Sequence, residues 1–121
     1  MKVLVIDDDA AIRHALARIL HKGGYEVVAA DDGEHGLALL GKERPDLVIC
    51  DLIMPHPDGI ETIAQIRRES GAIKIIAISG GDRTMNANGL ATALETGANE
   101  VILKPFRADD ILARVKSALA G

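Results

Sequence analysis

The chain has 121 residues, 48% of them hydrophobic, with one tyrosine, one phenylalanine and no tryptophan, which is the size of one domain with enough apolar mass for a proper core. Its net charge of −4 argues against broad binding to nucleic-acid backbones or anionic membranes, which needs a basic footprint. The acidity is localised: residues 1–60 hold 11 acids against 6 bases, and residues 61–121 hold 7 against 8.

Val3-Leu4-Val5-Ile6 is an unbroken apolar, largely β-branched run, the pattern of a strand buried on both faces of a parallel sheet. Asp7-Asp8-Asp9 follows at once. Three adjacent carboxylates repel one another, so they require solvent, a turn that spreads them, or a cation. Ile12, Ala15, Leu16, Ile19 and Leu20 then share a helical face, and Gly23-Gly24 reads as its stop, because a left-handed C-terminal cap is easiest for glycine. A second strand runs from Tyr25 to Ala30. Gly41 reads as the stop of the next helix, and Leu47 to Cys50 forms a third strand that delivers Asp51. Asp58 is placed to cap a helix beginning near Ile60, which Gly71 ends. Ile73 to Ile78 is the fourth strand, followed by Ser79 and by the longest irregular piece, "SGGDRTMN" over residues 79–86, either a functional loop or surplus solvated chain. Ala87, Leu90, Ala91 and Leu94 line one face of a helix stopped by Gly97. Val101 to Leu103 is the fifth strand, ending at Lys104, and a last helix carries Ile111, Leu112, Val115 and Leu119.

Strict β-α alternation predicts an α/β fold, a doubly wound five-stranded parallel sheet with five helices and right-handed crossovers, its ligands beyond the carboxyl ends of the strands. Residues 1–121 read as a single domain, with no repeat, low-complexity segment or linker. Cys50 is the only cysteine, so no internal disulfide forms; it reads as a buried small hydrophobe. No leader pattern precedes the first strand, and no apolar segment is long enough to span a bilayer, so a cytoplasmic location is expected.

All the polar groups at strand ends share one edge. With the order 2-1-3-4-5, adopted from known flavodoxin-like sheets, Asp8 and Asp51 become neighbours that one ion can touch. Carboxylates without imidazole or thiolate suit a hard ion such as Mg²⁺ and disfavour zinc. Lys104 adds a point charge and Ser79 a hydroxyl, a set suited to phosphoryl transfer, where positioning and charge neutralisation carry most of the catalysis.

Along essentially its whole length the chain resembles the receiver domains of two-component response regulators. The resemblance rests on Asp7-Asp8 after strand one, "DLIMPHPDG" from Asp51, "AISG" with Ser79, and "LKPF" with Lys104, Pro105 and Phe106, four pieces in order. It implies that Asp51 is the phosphoacceptor, attacking a phosphohistidine to form an acyl phosphate. It implies a Mg²⁺ site of Asp8, Asp51 and the backbone carbonyl of Ile53, with Asp7 acting indirectly and Asp9 outside the set. Lys104 would pair with Asp51 or its phosphoryl oxygens, and Ser79 would bond a phosphoryl oxygen. The implied function is phosphorelay signal transduction by a self-catalysed phosphoacceptor, not an enzyme in its own right, with at most slow autodephosphorylation. The implied partners are a sensor histidine kinase or histidine phosphotransfer protein and a downstream protein target. Neither nucleic acid nor membrane is contacted directly. The expectation is a stand-alone regulator without an output domain, a monomer or weak dimer whose pairing face is the fourth helix, fifth strand and fifth helix. The resemblance implies a cis Lys104-Pro105 peptide bond, which X-Pro energetics permit, while the sequence alone also allows trans.

One departure stands out. Many receivers carry tyrosine or phenylalanine three residues before the lysine, and this chain has Val101, so switching is expected instead in the loop Gly80 to Asn86. His14, His21, His35 and His56 lack metal-ligand spacing, although His56 lies close enough to Asp51 to tune its pH response. Two alternatives compete. Asp7-x-Asp9 resembles the start of a haloacid-dehalogenase-type small phosphatase with Asp7 as nucleophile, against which stand the short length, the missing cap and later acidic pair, and the run after Asp51. A phosphate-independent interaction module on the receiver fold is opposed by the presence of Asp8, Asp51, Ser79 and Lys104 together.

Overall fold

The computed structural model describes residues 1–54, 58–80 and 87–121. In chain order the elements are β1 (Lys2–Ile6), α1 (Ala10–Lys22), β2 (Glu26–Ala30), α2 (Gly33–Glu43), β3 (Leu47–Asp51), α3 (Gly59–Glu69), β4 (Lys74–Ser79), α4 (Ala87–Thr96), β5 (Glu100–Leu103) and α5 (Ala108–Ala120). The strands form one parallel sheet in the order β2-β1-β3-β4-β5, the flavodoxin-like arrangement expected. Among the described residues no helix is long and apolar enough to cross a membrane.

The period-2 alternation of strand side chains splits the core into two layers. Leu4, Ile6, Val48, Cys50, Ile75 and Ala77 face Leu40 of α2, Ile63 and Ile66 of α3, and Ala93 of α4. Val3, Val5, Leu47, Ile49, Ile76 and Ile78 face Leu16 and Leu20 of α1 and Ile111 and Val115 of α5. Both faces are covered, which is why the central strands read as continuous hydrophobic runs. Each fully buried isoleucine or leucine contributes roughly 1.5–3 kcal/mol relative to exposure.

Helix starts follow side-chain chemistry. Asp9, Asp32 and Asp58 each accept hydrogen bonds from backbone N–H groups in the first turns of α1, α2 and α3, and such a cap contributes about 1 kcal/mol. Asp58 caps a helix that starts at Gly59, one residue earlier than expected. Helix ends are harder to read. Gly24 and Gly97 do adopt positive φ, at 92° and 146°, whereas α2 runs through Gly41 and its left-handed residue is Arg44 at φ 48°. The reason is Pro45: the residue before a proline is pushed out of the right-handed helical region. The face of α4 also differs from the expected one. Ala93 is buried and Leu90 half-buried, while Ala91 and Leu94 are exposed; alternating alanines and leucines give no periodic contrast from which the orientation can be read.

At the sheet edge opposite the polar residues, Arg67 ties three elements together. Its guanidinium donates to the carbonyls of Gly97 at 2.6 Å and Ile73 at 2.6 Å and to Asn99 Oδ1 at 3.1 Å, and Asn99 Oδ1 in turn accepts the Ile75 N–H at 2.8 Å. Arg67→Ala is expected to destabilise the fold by roughly 1–2 kcal/mol, since water at this edge replaces part of the lost hydrogen bonding. Urea denaturation checks this: an unchanged midpoint would mean that the latch carries no net free energy.

Candidate functional site

Strand register brings the polar residues together. Ile6 pairs with Cys50 and Asp51 with Ile78, so the residues after β1 and at the end of β3 lie side by side. Ser79 pairs with Leu103, and the Lys104 N–H donates to the Ser79 carbonyl at 2.7 Å, which sets Lys104 at the same rim. The Lys104-Pro105 bond is cis, as the resemblance implies.

The acidic trio has three separate fates. Asp7 is buried; its Oδ1 accepts the Asp9 N–H at 2.9 Å, and its Oδ2 is buried without a hydrogen bond, 3.7 Å from Lys104 Nζ. Asp8 is exposed. Asp9 turns away to cap α1, its Oδ1 accepting from Ala11 N at 2.9 Å and Ile12 N at 3.4 Å. The turn therefore spreads the charges, and only two of the three remain at the rim. Asp9, expected outside the ligand set, caps α1, and its N–H fixes Asp7.

Asp51 is 4% exposed. Its Oδ1 accepts the Ile53 N–H at 3.3 Å and lies 3.5 Å from Lys104 Nζ. Carboxylate oxygens of Asp7, Asp8 and Asp51 all fall within 4.8 Å of one another. Burial, and next the Asp7 charge, raise Asp51 from 3.8 to about 6, against the pull of the Lys104 ammonium and the Ile53 N–H. Asp7 is raised as well, chiefly by burial, against the Asp9 N–H and Lys104. Among the described residues the half-buried Lys104 ammonium faces both buried carboxylates, and Asp7 Oδ2 is left without a hydrogen bond. Oxygen donors alone, two of them on buried carboxylates, fit a hard divalent ion such as Mg²⁺.

Ser79 is buried at the end of β4. Val101 is half-buried and packs into the core layer shared by α2, α3 and α4. Cys50 is buried, burial pushes its thiol upward, and its Sγ donates to the Asp51 carbonyl at 3.5 Å, in keeping with a small core residue. His35 pairs with Asp31 at 3.3 Å on the surface. His56 and the loop segment 81–86, on which pH tuning and switching are expected, lie outside the described residues.

Two contributors escape the sequence reading as site residues. Gly59 opens α3 directly against the end of β3: its N–H donates to the Leu52 carbonyl at 3.2 Å, and a Cβ there would lie 2.2 Å from the Asp51 carbonyl oxygen. The Asp58-Gly59 pair is legible as a helix start, yet not the contact it permits. Arg13, on α1, donates from Nη1 to the Asp7 carbonyl at 2.8 Å, and its six-residue spacing carries no signal.

Comparison with known proteins agrees with this geometry. Residues 3–116 match the family described as Response regulator receiver domain. The chain is 35% identical over 119 residues to "Response regulator MprA" of Mycolicibacterium vanbaalenii, covering 98% of this chain and 50% of that protein. It is 40% identical over 120 residues to "Probable transcriptional regulator ycf27" of Porphyridium aerugineum, covering 98% and 48%. The chain thus spans about half the length of these curated relatives. Among solved structures it resembles chemotaxis protein CheY4 of Vibrio cholerae, with TM-score 0.89 and 29% identity over 97% of both chains. It also resembles the receiver domain of NtrX from Brucella abortus, with TM-score 0.91 and 31% identity over 98% of both. A match along residues 3–116 sets aside the dehalogenase-type phosphatase. The chain belongs to the response regulator receiver domain family, and it is a phosphoacceptor domain of phosphorelay signalling.

Proposed function

We propose that Asp51 is the residue that accepts the phosphoryl group and that residues 1–121 act as one receiver domain. The observation that carries this reading is the meeting of Asp7, Asp8 and Asp51 oxygens within 4.8 Å, with Lys104 Nζ 3.5 Å from Asp51. Asp51 Oδ1 is engaged by the Ile53 N–H and Lys104, which leaves Oδ2 to attack. An O–P bond forms as the N–P bond of a phosphohistidine breaks and the imidazole departs with the electron pair. Asp8, Asp51 and the Ile53 carbonyl would hold Mg²⁺, with Asp7 supporting it through water; when bound, the ion supplies positive charge shared between the carboxylates and the phosphoryl oxygens. Lys104 stabilises the charge that develops on the phosphoryl group and orients Asp51 toward the donor. Ser79, at the neighbouring strand end, donates its hydroxyl to a phosphoryl oxygen after transfer.

The phosphodonor is a sensor histidine kinase or a histidine phosphotransfer protein, and output passes to a downstream protein by contact. Exposed Leu94 on α4 and Leu103 on β5 support contact on the α4-β5-α5 face, in a monomer or weak dimer. Val101 in place of an aromatic ring argues against output by ring rotation. Autodephosphorylation is at most slow on this reading.

Incubation with phosphoramidate and Mg²⁺, followed by intact-mass measurement, tests the assignment. One phosphoryl group should be added to the wild type, and none in the presence of chelator or in Asp51→Ala. A wild type that gains nothing would point to a phosphate-independent module, and an undiminished gain in Asp51→Ala would move the acceptor elsewhere.

A further inference from the structure

We infer that Arg13 is a positioning residue for the cation site: by holding the Asp7 carbonyl it fixes the peptide that aims Asp8 at Asp51. This rests on the Mg²⁺ site proposed above. The Asp7 carbonyl belongs to the peptide bond that joins Asp7 to Asp8. Arg13 Nη1 donates to it at 2.8 Å from the second turn of α1. Two further bonds brace the same turn: Asp9 N–H to Asp7 Oδ1, and the first-turn N–H groups of α1 to Asp9 Oδ1.

Asp8 needs this bracing more than its neighbours. Its carboxylate is exposed, and among the described residues no hydrogen bond to it is seen, whereas Asp7 and Asp51 are buried and bonded. The direction of its side chain therefore follows its backbone. If the Asp7–Asp8 peptide rotates, the Asp8 oxygens leave the group of three that lies within 4.8 Å. Residues that orient metal ligands from behind commonly change metal affinity by 10–100-fold when removed. An arginine suits the task because its planar fork is pre-organised and stays charged at every relevant pH.

Charge and geometry make opposite predictions. Arg13 adds positive charge near a site for a dication, and like charges repel. Were Arg13 merely a charge, its loss would tighten Mg²⁺ binding; as a positioning residue, its loss weakens it. Mg²⁺ titration by isothermal calorimetry on the wild type, Arg13→Met and Arg13→Lys decides between them, each run below the variant's own melting midpoint in chelator. Arg13→Met should bind Mg²⁺ about tenfold more weakly, and Arg13→Lys, which keeps a donor and the charge, should recover at least half of the loss on a logarithmic scale. Unchanged or tighter binding in Arg13→Met overturns the assignment, as does an equal loss in both variants. Should Arg13→Met fail to fold, Arg13→Leu takes its place with the same expectations. A wild type that does not bind Mg²⁺ overturns the cation site itself, whereas binding by the wild type with no change in Arg13→Met overturns only the role of Arg13.

Discussion

Asp51→Asn is expected to melt at a higher temperature than the wild type near neutral pH in chelator, and to lose that advantage in acid. The folded protein raises Asp51 from 3.8 to about 6, by burial and by the Asp7 charge. Below the unfolded value the carboxyl is protonated in both states and costs nothing. Between 3.8 and about 6 the unfolded chain ionises freely while the folded chain resists, so stability is lost as pH rises through this window and stays lost above it. Asparagine keeps the shape and omits the charge. Each tenfold difference in proton affinity between the folded and unfolded chain is worth about 1.4 kcal/mol, so the gain is about 2–3 kcal/mol near neutral pH, or roughly 6–12 °C in melting temperature for a domain of this size. Asp7, itself raised and facing the same lysine, adds to the gain when its charged neighbour is removed.

Magnesium should remove most of the difference. Saturation at about one hundred times the dissociation constant stabilises a single-site protein by about 2.7 kcal/mol, and Asp51→Asn forfeits most of that together with its phosphorylation. Differential scanning fluorimetry from acid to neutral pH, with and without Mg²⁺, measures both effects. A variant no more stable than the wild type near neutral pH in chelator would show that Lys104 and the Ile53 N–H already neutralise Asp51.

Gly59→Ala is expected to cost more than about 3 kcal/mol and to impair the site. The added Cβ would sit 2.2 Å from the Asp51 carbonyl oxygen and 2.4 Å from Leu52 Cα. These are backbone atoms and no rotamer change can move them, so either α3 withdraws from β3 or the end of β3 shifts, each a costly rearrangement in a close-packed core. Withdrawal breaks the Gly59 N–H bond to the Leu52 carbonyl; a shift displaces Asp51 itself. Gly41→Ala supplies the contrast, because nothing lies within 4 Å of its Cβ position and the residue sits inside α2. That substitution should stabilise by about 0.5–1 kcal/mol, the usual advantage of alanine over glycine in a helix. Urea midpoints of the two variants, with Mg²⁺ titration of Gly59→Ala, test the pair. Equal stability of Gly59→Ala and wild type would mean that α3 docks less tightly than the contact implies.

The local signals are strong where one run of residues carries the whole cause. β1, β3 and β4 are buried on both faces and read as apolar runs; Asp7, Asp51, Ser79 and Lys104 end or follow four of the five strands, and their types point to a hard ion and phosphoryl chemistry. Gly24 and Gly97 take left-handed conformations, as their positions after helices suggest. Gly41 does not, because Pro45 shifts the end of α2 to Arg44, and the outward turn of Leu94 follows from packing that a repeat of small and large apolar residues leaves open.

What the chain determined by itself was therefore the alternation of elements and the chemical character of one rim, since both depend on neighbours within a few positions. Only the folded sheet decided that Asp9 serves α1 while Asp7 and Asp8 serve the rim, that Gly59 must lack a side chain, and that Arg13 grips the Asp7 carbonyl. Those contacts span two to eight residues, yet none follows a helical or strand period: each depends on how the chain folds back where β1 meets α1 and β3 meets α3, and parallel register then sets the two turns side by side.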